Sequence, residues 1–209
     1  MPGAKSARVA HKISHPLDSA RDATIPDRLP QYDFYRNSPC PGRFNLLTSN
    51  KMSDKIGIIS DTHDNIPNIE QAVRIFNREK VSLVIHAGDY IAPFALRPFA
   101  GLVCEYTGVF GNNDGEKQGL ARVSEGRIKN PPLRIHSAGR EITVVHDVAT
   151  AAGSDDYDIL ICGHTHLPRV DKKGDTLVLN PGECGGWLKG RSTIAILDPV
   201  ELTAEIIDI

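Results

Sequence analysis

The chain has 209 residues, 40% hydrophobic and 24% charged, enough for one sizeable core. A net charge of −2 gives no bulk attraction to a nucleic-acid backbone, and no apolar run approaches the roughly 20 residues of a membrane span. Cys40, Cys104, Cys162 and Cys184 form no C-x-x-C pair, so no disulfide framework is indicated and a reducing cytoplasm is the expected compartment.

Residues 1–51 stand apart in composition. They hold eight Lys/Arg against four Asp and no Glu, with six prolines and no sustained periodicity. Such a segment is expected to be disordered. It lacks the apolar core of a signal peptide, and its prolines argue against a transit peptide. The character changes at Met52, where "MSDKIGIIS" reads like a protein start. The expected organisation is an extension over 1–51, from a misassigned start, and one domain over 52–209.

Ile56–Ser60 is the first expected strand. Asn68 and Gln71 fit a helix N-cap and capping box. Ile69, Ala72, Val73 and Phe76 then recur at helical spacing. "VSLVIHAGD" predicts a second buried strand, followed by a short helix near Phe94–Phe99. "LVCEYTGVFGNND" predicts a third strand. Strand, helix, strand, helix, strand marks an α/β sheet with parallel neighbours. The second half is richer in strands: Leu133–Ser137, Glu141–His146, Asp158–Cys162, Arg169–Asp171, Leu177–Asn180, Thr193–Leu197 and Ala204–Ile207, with "DKKGD" as a hairpin turn. Cys104 and Cys162 sit in apolar runs as small core residues.

The strand ends carry the chemistry. The first delivers Asp61 and His63, the second Asp89 and the third Asn112. "EITVVHD" delivers His146, and "DILICGHTH" delivers His164 and His166. Any one of these is most simply a polar turn or a hydrogen-bonded structural residue. Five strands each ending in a metal-competent group are not, because ligands collect beyond the carboxyl ends of α/β strands. "GHTH" is the sharpest, since alternate residues of extended chain point the same way. Four imidazoles, two carboxylates and an amide suit Mn²⁺, Fe²⁺, Zn²⁺, Ni²⁺ or Co²⁺. Seven donors are too many for one ion; two ions sharing a carboxylate account for them. Such a pair clamps a phosphoryl group and acidifies a water for in-line attack.

The series "DTH", "GD", "GNND", "H", "GHTH" resembles the calcineurin-like metallophosphoesterases, and most closely their small single-domain prokaryotic phosphodiesterases. "NPGE" at Asn180–Glu183 fits that subgroup, and the likeness covers about residues 54–209. It implies an α/β fold, a two-sheet sandwich flanked by helices. It implies one ion on Asp61, His63, Asp89 and His166, and another on Asp89, Asn112, His146 and His164, with Asp89 bridging. Asn112, His146 and Asp114 are the implied catalytic residues, Asp114 by orienting its neighbours. The implied activity is hydrolysis of phosphoesters, chiefly diesters, with two divalent ions, Mn²⁺ foremost, and a metal-activated hydroxide. The implied partner is a small phosphoester, with nucleic acid only as a substrate and no membrane. Oligomeric state and physiological substrate are left open. The alternative on the same fold is a non-catalytic scaffold like the retromer subunit that has lost key ligands; all seven donors are present here. A metallo-β-lactamase-like hydrolase needs an H-x-H-x-D-H run, which "HTHLPR" lacks.

Two positions depart from the family pattern. Many relatives carry a His after the motif Asn, able to protonate a leaving group; here it is Asn113. The family usually has Gly after the His that matches His146; here it is Asp147, whose side chain is expected to crowd the second ion or add charge. His86 is a candidate support for the ligands. Asp64 and Asn65 read as turn and helix-start residues, Cys184 as structural, and His11, His15 and His136 as without a specific role. A chain beginning at Met52 should fold and keep full activity, because residues 1–51 supply no ligand. Precipitation of that shortened chain, or loss of its metal, would assign the extension to the core.

Overall fold

The computed structural model describes residues 54–151 and 156–209. The extension expected over 1–51, with His11, His15 and Cys40, and the start expected at Met52 lie outside those residues. Strand β1 (Ile56–Ile59) is buried along its whole length, as an unbroken apolar run in a central strand requires. Helix α1 (Ile66–Glu79) follows, then β2 (Leu83–His86), a 3₁₀ segment (Pro93–Gly101) and β3 (Glu105–Val109). Next come α2 (Lys117–Val123), β4 (Ile128–Lys129), β5 (Leu133–Ser137) and β6 (Arg140–Val144). A 3₁₀ turn (Val148–Ala151), β7 (Ile159–Ile161), β8 (Pro168–Lys173), β9 (Thr176–Pro181), β10 (Thr193–Asp198) and β11 (Thr203–Asp208) complete the domain.

Two sheets form. One has six strands in the order β11-β10-β1-β2-β3-β4, the other five in the order β5-β6-β7-β9-β8. Strands β1 to β4 are parallel neighbours, and β6, β7 and β9 are parallel in the second sheet. Ile56, Ile58, Ile85 and Val109 of the first sheet share one buried cluster with Ile142, Val144, Ile159, Ile161, Leu177 and Leu179 of the second. That cluster is the filling of the expected sandwich.

The other face of the first sheet packs on α1, α2 and Pro93–Gly101 through Ile59, Ile69, Phe76, Val84, Leu96, Phe99 and Leu120. The helix stripe lands as its spacing predicts, with Ile69, Ala72, Val73 and Phe76 buried. Phe76 lies directly on β1 because Gly57 has no side chain: a Cβ there would come within 2.5 Å of the ring. The helices are shared unequally. Among the described residues, the outer face of the second sheet carries only a small cluster of Val145, Ala151, Leu160 and Cys162, with Ala151 from the 3₁₀ turn.

Several expectations need adjustment. The cap of α1 is Asn65, whose side chain accepts from the Asn68 N–H, with Pro67 fitting the first turn. Asn68 instead donates to the Cys184 carbonyl and the Ser192 hydroxyl, both at 2.9 Å. The third strand begins at Glu105 rather than Leu102. Helix α2 and β4 had no sequence signal: α2 is seven residues long and buries only Leu120, too little to show a period. Cys104 is half-buried and Cys162 buried.

Candidate metal centre

The seven donors all lie just beyond the carboxyl ends of β1, β2, β3, β6 and β7. Five of them sit in left-handed backbone: Asp61 (φ 52°), His63 (φ 42°), Asp89 (φ 62°), His164 (φ 67°) and His166 (φ 60°). Side-chain-bearing residues adopt that region at a cost of order 1–3 kcal/mol each. The surrounding backbone holds them there. Asp61 N–H donates to Gly88 O (3.0 Å) and His63 N–H to Asp89 O (3.2 Å). Cys184 N–H donates to Ser60 O (3.0 Å) and Gly185 N–H to Asp61 O (2.9 Å).

One donor set is Asp61, His63, Asp89 and His166, whose ligand atoms all lie within 4.8 Å of one another. His166 Nε2 is 3.3 Å from Asp61 Oδ1, and His63 Nε2 is 3.7 Å from Asp89 Oδ2. Asp61 Oδ2 accepts from the Ser60 hydroxyl (2.6 Å) and the His164 N–H (3.1 Å). Asp61 Oδ1 and His63 Nε2 are buried and have no hydrogen-bond partner. Two orphaned donor atoms facing one space are what a cation would satisfy. Burial raises the Asp61 pKa, outweighing the Ser60 hydrogen bond and the nearby imidazoles.

The second set shares Asp89. His146 Nε2 lies 3.4 Å from Asp89 Oδ2 and 2.9 Å from Asn112 Oδ1, and His164 Nδ1 lies 2.9 Å from the same Asn112 oxygen. His146 Nδ1 faces the Ala87 carbonyl at 2.8 Å, which can only accept. A neutral His146 therefore keeps its proton on Nδ1 and turns the Nε2 lone pair toward two oxygen acceptors. Lone pairs converging without a donor need a cation between them. Without one, a proton takes the place: burial opposes the charged ring, but the Asp89 carboxylate prevails and raises the His146 pKa. Asp89 in turn is held well below the usual carboxylate range, against its burial, by His146 and by Asn113.

The remaining expected residues fall into place around these sets. Asp114 spends its carboxylate on the N–H groups of Asp89 (3.2 Å), Gly111 (2.7 Å) and Ile91 (2.8 Å), so its oxygens hold the Asp89 turn. Asn113 donates its backbone N–H and side-chain amide to the two Asp89 oxygens, at 2.8 and 2.7 Å. The Asp147 carboxylate accepts from Ala149 N–H at 2.9 Å, within its own turn. His86 is fully buried, and burial with nearby His146 keeps it uncharged. Its Nδ1 accepts from Gly88 N–H, its Nε2 meets the Thr62 hydroxyl, and that hydroxyl donates to Asp89 O. Cys184 is fully buried and its thiol pushed far up by burial, which leaves it inert.

Three residues escaped the sequence reading. Ser60 holds Asp61. Asn180 donates to Gly163 O (2.7 Å) and Thr165 Oγ1 (3.1 Å), fixing the "GHTH" turn. Glu183, fully buried, has Oε2 2.6 Å from His166 Nδ1. "NPGE" was the signal for the last two, read only as a subgroup mark.

The family model of the calcineurin-like phosphoesterase superfamily domain matches residues 55–201. The chain belongs to that superfamily. A phosphodiesterase of Methanocaldococcus jannaschii is 40% identical over 153 residues, 69% of this chain and 92% of that protein. The solved structure of an archaeal phosphodiesterase superposes with a TM-score of 0.69 at 38% identity, covering 74% of this chain and 99% of that one. The fold is also that of the Escherichia coli phosphoesterase Yfce (18% identity, TM-score 0.58, 74% of this chain and 99% of that one). It is shared too by vacuolar protein sorting 29 of Cryptosporidium parvum (16%, TM-score 0.53, 76% and 98%). Those two likenesses speak to fold alone. This calcineurin-like phosphoesterase is a metal-dependent hydrolase of phosphoesters.

The phosphoesterase packs its ligand turns with no room to spare. A Cβ on Gly163 would fall 2.0 Å from Ser60 Oγ and 2.7 Å from Asp61 Oδ2. Gly163→Ala should displace Ser60 and loosen Asp61, lowering metal affinity about 10–100-fold, as loss of a ligand's supporting partner does. Metal content and kcat/KM measured on the purified variant check this. Values equal to wild type would mean that Ser60 does not hold Asp61 for the metal.

Proposed function

We propose that the protein is a phosphodiesterase that works through a pair of divalent ions, Mn²⁺ foremost, in the cytoplasm. One observation carries the two-ion reading: Asp89 Oδ2 lies between the donor sets, 3.7 Å from His63 Nε2 and 3.4 Å from His146 Nε2. Asp61, His63 and His166 would complete one site with Asp89, and Asn112, His146 and His164 the other. Divalent ions held there act as Lewis acids on phosphoryl oxygens and lower the pKa of water. The relative at 40% identity is named a phosphodiesterase, which supports diesters over monoesters. Among the described residues no helix is long and apolar enough to cross a membrane.

The chain's own residues set the approach and the leaving group. Asp61 and Asp89 are buried, while Asn112 and His164 are exposed, so the phosphoryl group enters from the Asn112–His164 side. Asn113 stands where many relatives place an acid, and its amide is committed to Asp89. The departing oxygen then takes its proton from solvent, which favours diesters of acidic alcohols and phenols. The scaffold alternative fits poorly, because none of the seven donors is missing.

Chelator treatment should abolish diesterase activity, and Mn²⁺ should restore it. Asp89→Ala should lose ions from both sites and several kcal/mol of barrier lowering, a rate loss of about 10³-fold or more. Metal counting beside kcat on a chromogenic diester decides this. Full turnover in a metal-free sample, or two ions and normal kcat in Asp89→Ala, would overturn the shared-carboxylate site.

A further inference from the structure

Both oxygens of the buried Glu183 carboxylate are engaged. Oε2 lies 2.6 Å from His166 Nδ1, while Oε1 accepts from Leu188 N–H (3.0 Å) and Lys189 N–H (2.5 Å). Its own carbonyl accepts from Thr193 N–H at 2.9 Å, which fixes its backbone on the first residue of β10. A carboxylate can only accept, so the His166 proton stays on Nδ1. The opposite nitrogen, Nε2, then carries a lone pair and points at Asp61 Oδ1 from 3.3 Å. The same residues 183–189 carry Trp187, the only tryptophan of the chain. Its indole is 66% exposed, and its N–H donates to His63 O at 3.2 Å. Gly185, between Glu183 and Trp187, lies against the Asp61 and Thr62 carbonyls; a Cβ there would meet both at 3.1 Å.

We propose that Glu183 is a positioning residue that locks His166 in the Nδ1–H tautomer and ties that ligand to the 183–189 segment, so that the metal ligands and the Trp187 rim form one mechanical unit. This rests on the metal reading above. Glu183 touches no substrate; it acts through His166, and through the backbone of Leu188 and Lys189. The isosteric Glu183→Gln perturbs the His166 contact most, although Oε2 also accepts from Leu188 N–H at 3.2 Å. Its amide oxygen can still accept from Leu188 and Lys189, but its NH₂ then faces His166 Nδ1. That drives the ring proton to Nε2 and closes the lone pair that the metal needs. Reversing the amide instead sets NH₂ against two backbone N–H groups.

The test is a Co²⁺ titration of the full chain, followed by calorimetry, by the visible absorption of the bound ion and by Trp187 fluorescence. Wild type should bind Co²⁺ and change its fluorescence as it does. Glu183→Gln should bind about 10–100-fold more weakly, with an altered absorption band and a blunted fluorescence response. Affinity, band and response equal to wild type would overturn the proposal and leave the metal reading standing. Wild type that takes up no Co²⁺ would overturn both. Should Glu183→Gln fail to fold, the ring-nitrogen NMR shifts of metal-free wild type decide: His166 protonated at Nδ1 supports the lock, and His166 protonated at Nε2 alone refutes it.

Discussion

Two carboxylates buried in one pocket need positive charge, and that need organises this protein. Asp61 is wholly buried and Asp89 nearly so. Between and around them stand imidazoles whose free nitrogens also offer lone pairs. His146 is bound at its back by the Ala87 carbonyl, and His166 by Glu183. Each backing group takes the ring's proton side and turns the lone pair inward. The result is a pocket rich in acceptors, with Asp61 Oδ1 and His63 Nε2 left without a hydrogen-bond partner, that suits a bound cation.

Such a pocket has to be built at some cost in backbone strain. Five ligand residues lie at positive φ, and a chain free to relax would leave that region. The parallel strands supply the counterforce. β1, β2 and β3 end side by side, so their turns hydrogen-bond to one another: Asp61 to Gly88, His63 to Asp89, and Asp114 back to Asp89 and Gly111. The cluster between the sheets keeps β6 and β7 against this edge and so brings His146, His164 and His166 to it. The core thus positions the site; its apolar residues do no chemistry.

The donors were legible because strand periodicity is legible. A run such as "KIGIIS" announces a buried strand, and the residues just past its end must lie at the sheet edge. That logic puts Asp61, His63, Asp89, Asn112, His146, His164 and His166 at one sheet edge; the two-sheet sandwich was implied by the family resemblance. The features that stayed hidden depend on where side chains turn. Asn68 looks like a cap, yet Asn65 caps, because Asn68 has partners on the 184–192 segment far along the chain. Asp147 looks like an obstruction, yet it bonds forward to its own turn. Asp114 is marked by its place in "GNND", but the three backbone N–H groups it binds show only in the fold. Glu183 lies 17 residues beyond His166, and no local pattern links the two. Helix α2 was too short to show a period.

The central claim is that Asp89 joins two metal sites. A crystal structure of the Mn²⁺-loaded protein, with anomalous scattering at the manganese edge, tests it most directly. The account predicts two anomalous peaks, both within coordinating distance of the Asp89 carboxylate, one also bound by Asp61, His63 and His166 and the other by Asn112, His146 and His164. A single peak, or two peaks of which one does not touch Asp89, would contradict it.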